Sequence, residues 1–182
     1  MSIHRILRTL HTFGAAALLA VVMTTSAGAA RGPATAEEIA RVVQIAAAAD
    51  KDPLGTMTSA DGRWLEKWAE DVPDYNFGPD KGAYWAVIGG AAKGDLKRVV
   101  RFQHTVSTAA WQVQHQIHDP QKNEADMEAK TLAGVEGLLR AYEVLAAQRP
   151  ENRSPQMDEA LAQRNAGTLP AFVKALPPMP PR

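Results

Sequence analysis

None of the 182 residues is a cysteine, and that absence decides how the chain must hold itself together. No disulfide can staple it, no thiolate can ligate zinc, and no c-type haem can be attached covalently. Stability has to come from apolar burial. The hydrophobic share of 46%, rich in alanine and including four tryptophans, is a helical rather than a sheet composition.

The first 30 residues read as a cleavable export signal rather than as part of a fold. Arg5 and Arg8 form a positive segment ahead of the apolar run 13–23, and small residues follow, with Ala27 and Ala29 or Gly28 and Ala30 at the −3 and −1 positions. That apolar run is about half the ~20 residues a spanning helix needs. No Arg-Arg pair points to twin-arginine export, and no cysteine exists to carry a lipid. The expectation is a periplasmic or secreted protein, exported by the general secretory pathway and without stable membrane insertion after cleavage.

Residues 31–176 are then expected to form one all-α domain, a small helical bundle of five to seven helices, and 177–182 a Pro-rich tail favouring polyproline II. The signal holds two of the 20 Lys and Arg and none of the 20 Asp and Glu, so the remainder carries 18 basic against 20 acidic residues, a net charge of −2. Nucleic-acid binding rests on neutralising phosphates, and so near-neutral a domain gives no case for it.

Helix signals recur along the chain. Thr35 and Glu38 make a capping box before 36–49, where Ile39, Val42, Val43 and Ala46 share a face. A helix over 60–71 opens at Thr58 or Ser59 and carries Trp64, Leu65 and Trp68. Helices follow over 79–92, 95–118, 124–148, 155–166 and 170–176, each bounded by proline, glycine or Asx residues. Val99, Phe102, Val106, Ala110, Val113 and Ile117 make the apolar stripe of the fourth. Gly134 and Gly137 in the fifth offer a place for close approach of a neighbour. No stretch alternates apolar and polar residues between turns, so no sheet is expected.

Three groups could carry function. The loop 72–80 offers Tyr75, Phe77 and Asp80 and leads into Tyr84 and Trp85; aromatics with adaptable polar neighbours are what partner surfaces use, although the same rings could pin the loop to the core. The domain's three histidines, His104, His115 and His118, fall on one side of the predicted 95–118 helix, opposite its apolar stripe. His115, His118 and Asp119 could ligate zinc or copper, and the competing reading is a solvated polar face flanked by Gln112 and Gln116. Residues 50–61 place Asp50, Asp52 and Asp61 at positions 1, 3 and 12 of a calcium loop with Gly55 at position 6, but Leu54 stands where an oxygen ligand belongs and Pro53 stiffens the turn. These acids serve equally well as helix stops and caps. A haem held non-covalently by Met and His is the weakest reading, since Met57, Met127, Met157 and Met179 fit core, loop or tail.

No nucleophile elbow, His-Glu-x-x-His, phosphate loop or dinucleotide fingerprint occurs, and Glu66 and Glu70 at i,i+4 read as a solvated face rather than a glycosidase pair. The expected function is therefore binding of another envelope or secreted protein, as an inhibitor, immunity protein or adaptor, rather than catalysis. No cofactor is expected for that function; the alternative is a metal-binding helical bundle holding a divalent calcium, zinc or copper ion.

Overall fold

Caps and prolines set the helix boundaries. The computed structural model describes residues 31–77, 82–88 and 94–177, without the side chains of 84–86; the predicted signal segment, Asp80 and residues 178–182 of the tail lie outside the described residues. Within these the chain is all-helical: α1 (Ala36–Ala49), α2 (Pro53–Thr58), α3 (Ala60–Asp71), α4 (Ala83–Ile88), α5 (Gly94–His115), α6 (Glu124–Gln148), α7 (Pro155–Asn165) and α8 (Leu169–Ala175), with no strand among the described residues. Thr35 Oγ1 accepts the Glu38 amide at 3.2 Å and Glu38 Oε2 accepts the Thr35 amide at 3.0 Å, closing the expected capping box. Ser59 caps α3 through the Gly62 amide, and Asn123 caps α6 through those of Ala125 and Asp126.

Helix α2 corrects the reading of 50–61 as a loop. Asp52 Oδ1 accepts the Gly55 amide at 2.9 Å, and Pro53 sits at the first helical position, where its missing N–H costs nothing. The residue that stiffens a calcium loop is here the first residue of a helix. A second correction concerns the end of α5. The helix stops at His115, because Gln116 adopts a left-handed backbone with φ 56°. Residues 117–119 therefore leave the helix, and His118 does not share a helical face with His115.

The long helices α5 and α6 form the centre of the domain. Val99, Phe102, Val106 and Val113 of α5 meet Val135, Leu138, Leu139 and Leu145 of α6, all at most 3% exposed. Their backbones approach closely because α6 has glycine where they cross: a Cβ on Gly134 would come within 2.6 Å of His104 Nε2, and one on Gly137 would overlap the Ser107 side chain. His104 consequently packs against α6 instead of standing on a solvated face. The same crowding buries Ser107 and Thr108, and with Gln103 and Gln112 also buried, α5 is buried over far more than its apolar stripe.

Helix α1 is tied to this pair at its C-terminal end. Asp50 Oδ1 accepts Gln103 Nε2 of α5 and Arg140 Nε of α6, both at 2.8 Å. A carboxylate at a helix C-terminus opposes the macrodipole, and the Arg140 guanidinium offsets that charge while joining three helices. Two residues further along α6 the buried Tyr142 hydroxyl accepts the Ser154 amide at 3.0 Å and donates to Asp158 at 2.7 Å, which fixes the start of α7. Burial, and then the neighbouring Asp158 carboxylate, push the Tyr142 hydroxyl above the usual tyrosine range.

Replacing glycine by alanine inside an exposed helix normally stabilises it by about 1 kcal/mol. At Gly137 the sign should reverse. Overpacking against Ser107 predicts a loss of about 1–3 kcal/mol for Gly137→Ala in urea denaturation, and a variant as stable as wild type would contradict the close helix approach.

Candidate functional site

Two segments that follow helix ends meet on one side of the domain. Helix α3 stops at Val72, whose amide bonds back to the Trp68 carbonyl at 2.9 Å, and Pro73 prevents continuation. The next four residues run past the turn that follows α5. The Asn76 amide donates to the His118 carbonyl at 2.7 Å, and the Asn76 side-chain amide to Asp119 Oδ1 at 3.2 Å. The fully buried Gln112 donates from Nε2 to both the Asn76 and Ile117 carbonyls, at 3.3 and 3.0 Å. One side chain of α5 thereby fastens the loop and the turn together. Sequence reasoning places Gln112 on a solvated flank; the early end of α5 turns the chain back over it.

The aromatic residues of this junction form a continuous ladder. Tyr75 is stacked between His118, at 4.4 Å between ring centroids, and Phe77, at 5.8 Å and nearly parallel. Trp68 packs on both Tyr75 and Phe77, at 6.3 and 5.5 Å, and Trp64 stacks on Trp68 at 6.0 Å. Arg41 lies 4.0 Å from the Trp64 ring centre, a cation–π arrangement, while its guanidinium also pairs with Asp61 at 2.7 Å. Tyr75 and Trp68 are buried; Phe77 and Trp64 are half-buried and His118 is exposed. Burial and then the charge of Asp74 hold the Tyr75 hydroxyl above its usual range.

The His118 ring is held by Asp74. Its Nδ1 lies 2.7 Å from the Asp74 carbonyl oxygen, which can only accept, so Nδ1 carries a hydrogen, and it is 3.7 Å from Asp74 Oδ2. His115 is held the same way by the Trp111 carbonyl at 2.8 Å, and its ring stacks on Trp111 at 4.7 Å. Asp119 accepts from Asn76 and from the Gln121 amide and lies 3.4 Å from Lys122.

The segment before α1 closes the other side of the loop. Ala34 donates its amide to Asp74 Oδ1 at 2.9 Å, and Arg31 reaches the Trp68 carbonyl at 3.2 Å and Glu38 at 2.7 Å. Burial works against the Glu38 carboxylate, but the Thr35 amide and Arg31 hold it below the usual carboxylate range.

Next to the ladder, Phe77 joins Met57 and Ala69 in a groove of about 710 Å³ between α3 and α5. Glu66 and Glu70 line the α3 side and Arg98 and Arg101 the α5 side. Arg98 lies 3.6 Å from Asp95, whereas Arg101 has no ion pair among the described residues. An apolar floor with charges of both signs at its edges is the composition of a partner-binding surface.

Of the residues singled out from the sequence, Tyr75, Phe77, His118 and Asp119 come together here. Tyr84 and Trp85 lie on α4, with side chains outside the described residues, as is Asp80. Asp50, Asp52 and Asp61 do not converge, since each is engaged elsewhere by Arg140, the α2 cap and Arg41. Among the described residues no group of three or more His, Asp or Glu side chains is placed to share a metal ion. Nor is any helix of these residues long and apolar enough to cross a membrane. Comparison with known protein families, with curated proteins and with solved structures finds no match to this chain.

Because the Glu38 pKa is lowered on folding, its stabilising contribution is complete above the unfolded value of about 4.3 and is lost as pH falls through the lower folded value. Glu38→Gln is therefore expected to flatten the acid limb of Tm against pH below about pH 4.5. An unchanged slope in circular-dichroism melts would show that the Arg31–Glu38–Trp68 cluster contributes nothing there.

Proposed function

We propose that the protein, exported to the periplasm or beyond, acts by binding another envelope or secreted protein through the face where Phe77 lies between α3 and α5. The observation that carries this reading is the pinned aromatic loop. Its backbone is bonded to the turn after α5, and its rings are stacked into a ladder, so little ordering entropy remains to be lost when a partner arrives. Phe77 supplies an apolar floor, and the groove's arginine and glutamate edges supply orientation and specificity. The assignment to small exported helical inhibitors, immunity proteins and adaptors is by analogy.

A photo-reactive residue replacing Thr105, which lines the groove, tests it directly. In envelope preparations this position should yield one discrete protein adduct, absent when the probe replaces the exposed Ala162 of α7. Adding Phe77→Ala with Arg101→Glu, in a variant shown to be folded, should reduce that adduct at least tenfold. Equal adducts at both positions, or none at Thr105, would sink the proposal.

A further inference from the structure

The walls of the α3–α5 groove are two helix ridges, Arg63, Glu66 and Glu70 of α3 and Arg98, Arg101 and Thr105 of α5. Each ridge runs about 10 Å at 1.5 Å per residue, close to two helical turns. Met57, Ala69 and Phe77 lie between them. Ala69 and Phe77 are half-buried, so apolar surface is left for a partner to cover.

The backbone around the groove selects the form of that partner. Both walls are helices, whose main-chain groups are engaged within the helix, and no strand edge exists among the described residues. An extended peptide draws its affinity from main-chain hydrogen bonds to such an edge. Laid here, it would hold its own N–H and C=O groups against an apolar floor with nothing to pair them. A helix arrives with those groups satisfied. Its side chains at i, i+3, i+4 and i+7 cover the same two turns as the walls.

The two edges differ in sign, and this sets the flanks of the incoming helix. Glu66 and Glu70 stand one turn apart on α3, and neither has an ion pair among the described residues. Arg63, at the start of that ridge, donates to the Thr58 carbonyl at 2.6 Å. On α5, Arg101 also lacks an ion pair, and the Arg98 side chain is 66% exposed and 3.6 Å from Asp95. Carboxylates and guanidinium groups thus line opposite edges of one groove without meeting across it. A segment lying between them satisfies both edges only if its own flanks carry opposite charges.

We infer that the partner element is an amphipathic helix of about two turns or more, with its apolar stripe on Phe77, basic residues along α3 and acidic residues along α5. This rests on the α3–α5 face being the partner surface.

Selection against the full chain from a phage-displayed library of helical peptides tests it. The stripe positions are restricted to apolar residues, and the flanks are free to be Lys, Glu or Ser. Binders should carry Lys on one flank and Glu on the other. Made synthetically, such a peptide should bind at least fivefold more tightly in fluorescence anisotropy than versions with Lys on both flanks or Glu on both. A central proline, which breaks the helix, should weaken it at least tenfold. Amide NMR shifts should centre on 57–77 and 98–105. Against Glu66→Lys/Glu70→Lys the version with Glu on both flanks should become the tightest, and against Arg98→Glu/Arg101→Glu the version with Lys on both. These substitutions fall on exposed positions, and circular dichroism checks that each variant is folded. No binders, binders without flank bias, tolerance of the proline, shifts centred on another face, or a preference that both folded reversals leave unmoved would overturn the inference. A Thr105 adduct without helix binders would remove the helix and leave the partner face standing; absence of the adduct would remove both.

Discussion

The close approach of α5 and α6 is the constraint from which the other packing follows. Two helices can come this near only where one of them lacks side chains, and Gly134 and Gly137 provide that place. Once the backbones are so close, the polar residues of α5 that face α6 are buried whether or not they are apolar. Ser107, Thr108 and His104 fill the narrow space that larger side chains could not enter, and the hydroxyl of Thr108 bonds back to the carbonyls of its own helix. The centre of the domain is thus a contact of small and polar groups, with the leucines and valines of both helices packed around it.

What the chain announces locally, it announces well. The bounds 36–49, 60–71 and 124–148 coincide with those of α1, α3 and α6, because caps, prolines and glycine stops act within a turn of where they stand. The misreadings arise where a local rule meets distant partners. Gln112 and His104 look like members of a solvated face, since no periodicity reveals that the 72–77 loop and the turn after α5 cover the one and that α6 lies close to the other. The end of α5 at His115 rests on a left-handed glutamine, a conformation that sequence rules associate with glycine or asparagine. Helix α2 escapes notice because six residues, one of them proline and one glycine, make too short a pattern to separate from a turn.

The candidate site shows the same division. Tyr75 and Phe77 are legible as a contact pair from their spacing in a polar loop, and His118 and Asp119 as possible ligands from their chemistry. That these belong to one place is not legible, because it depends on hydrogen bonds spanning 36 to 44 residues, from Gln112, Asn76 and His118. The pinning reading holds for Tyr75, which is buried, while Phe77 is half-buried against Trp68 and His118 is exposed. Arg31 and Ala34, which carry no motif, anchor its far side.

The ladder has a practical consequence. Three of the chain's four tryptophans are in it or beside it: Trp64 and Trp68 as members, and Trp111 stacked on His115 one turn before the junction. Indole emission is sensitive to neighbouring rings, imidazolium charge and hydration, so the protein carries its own optical reporter beside the surface proposed for partner binding. Occupancy there can be followed by intrinsic fluorescence without a label.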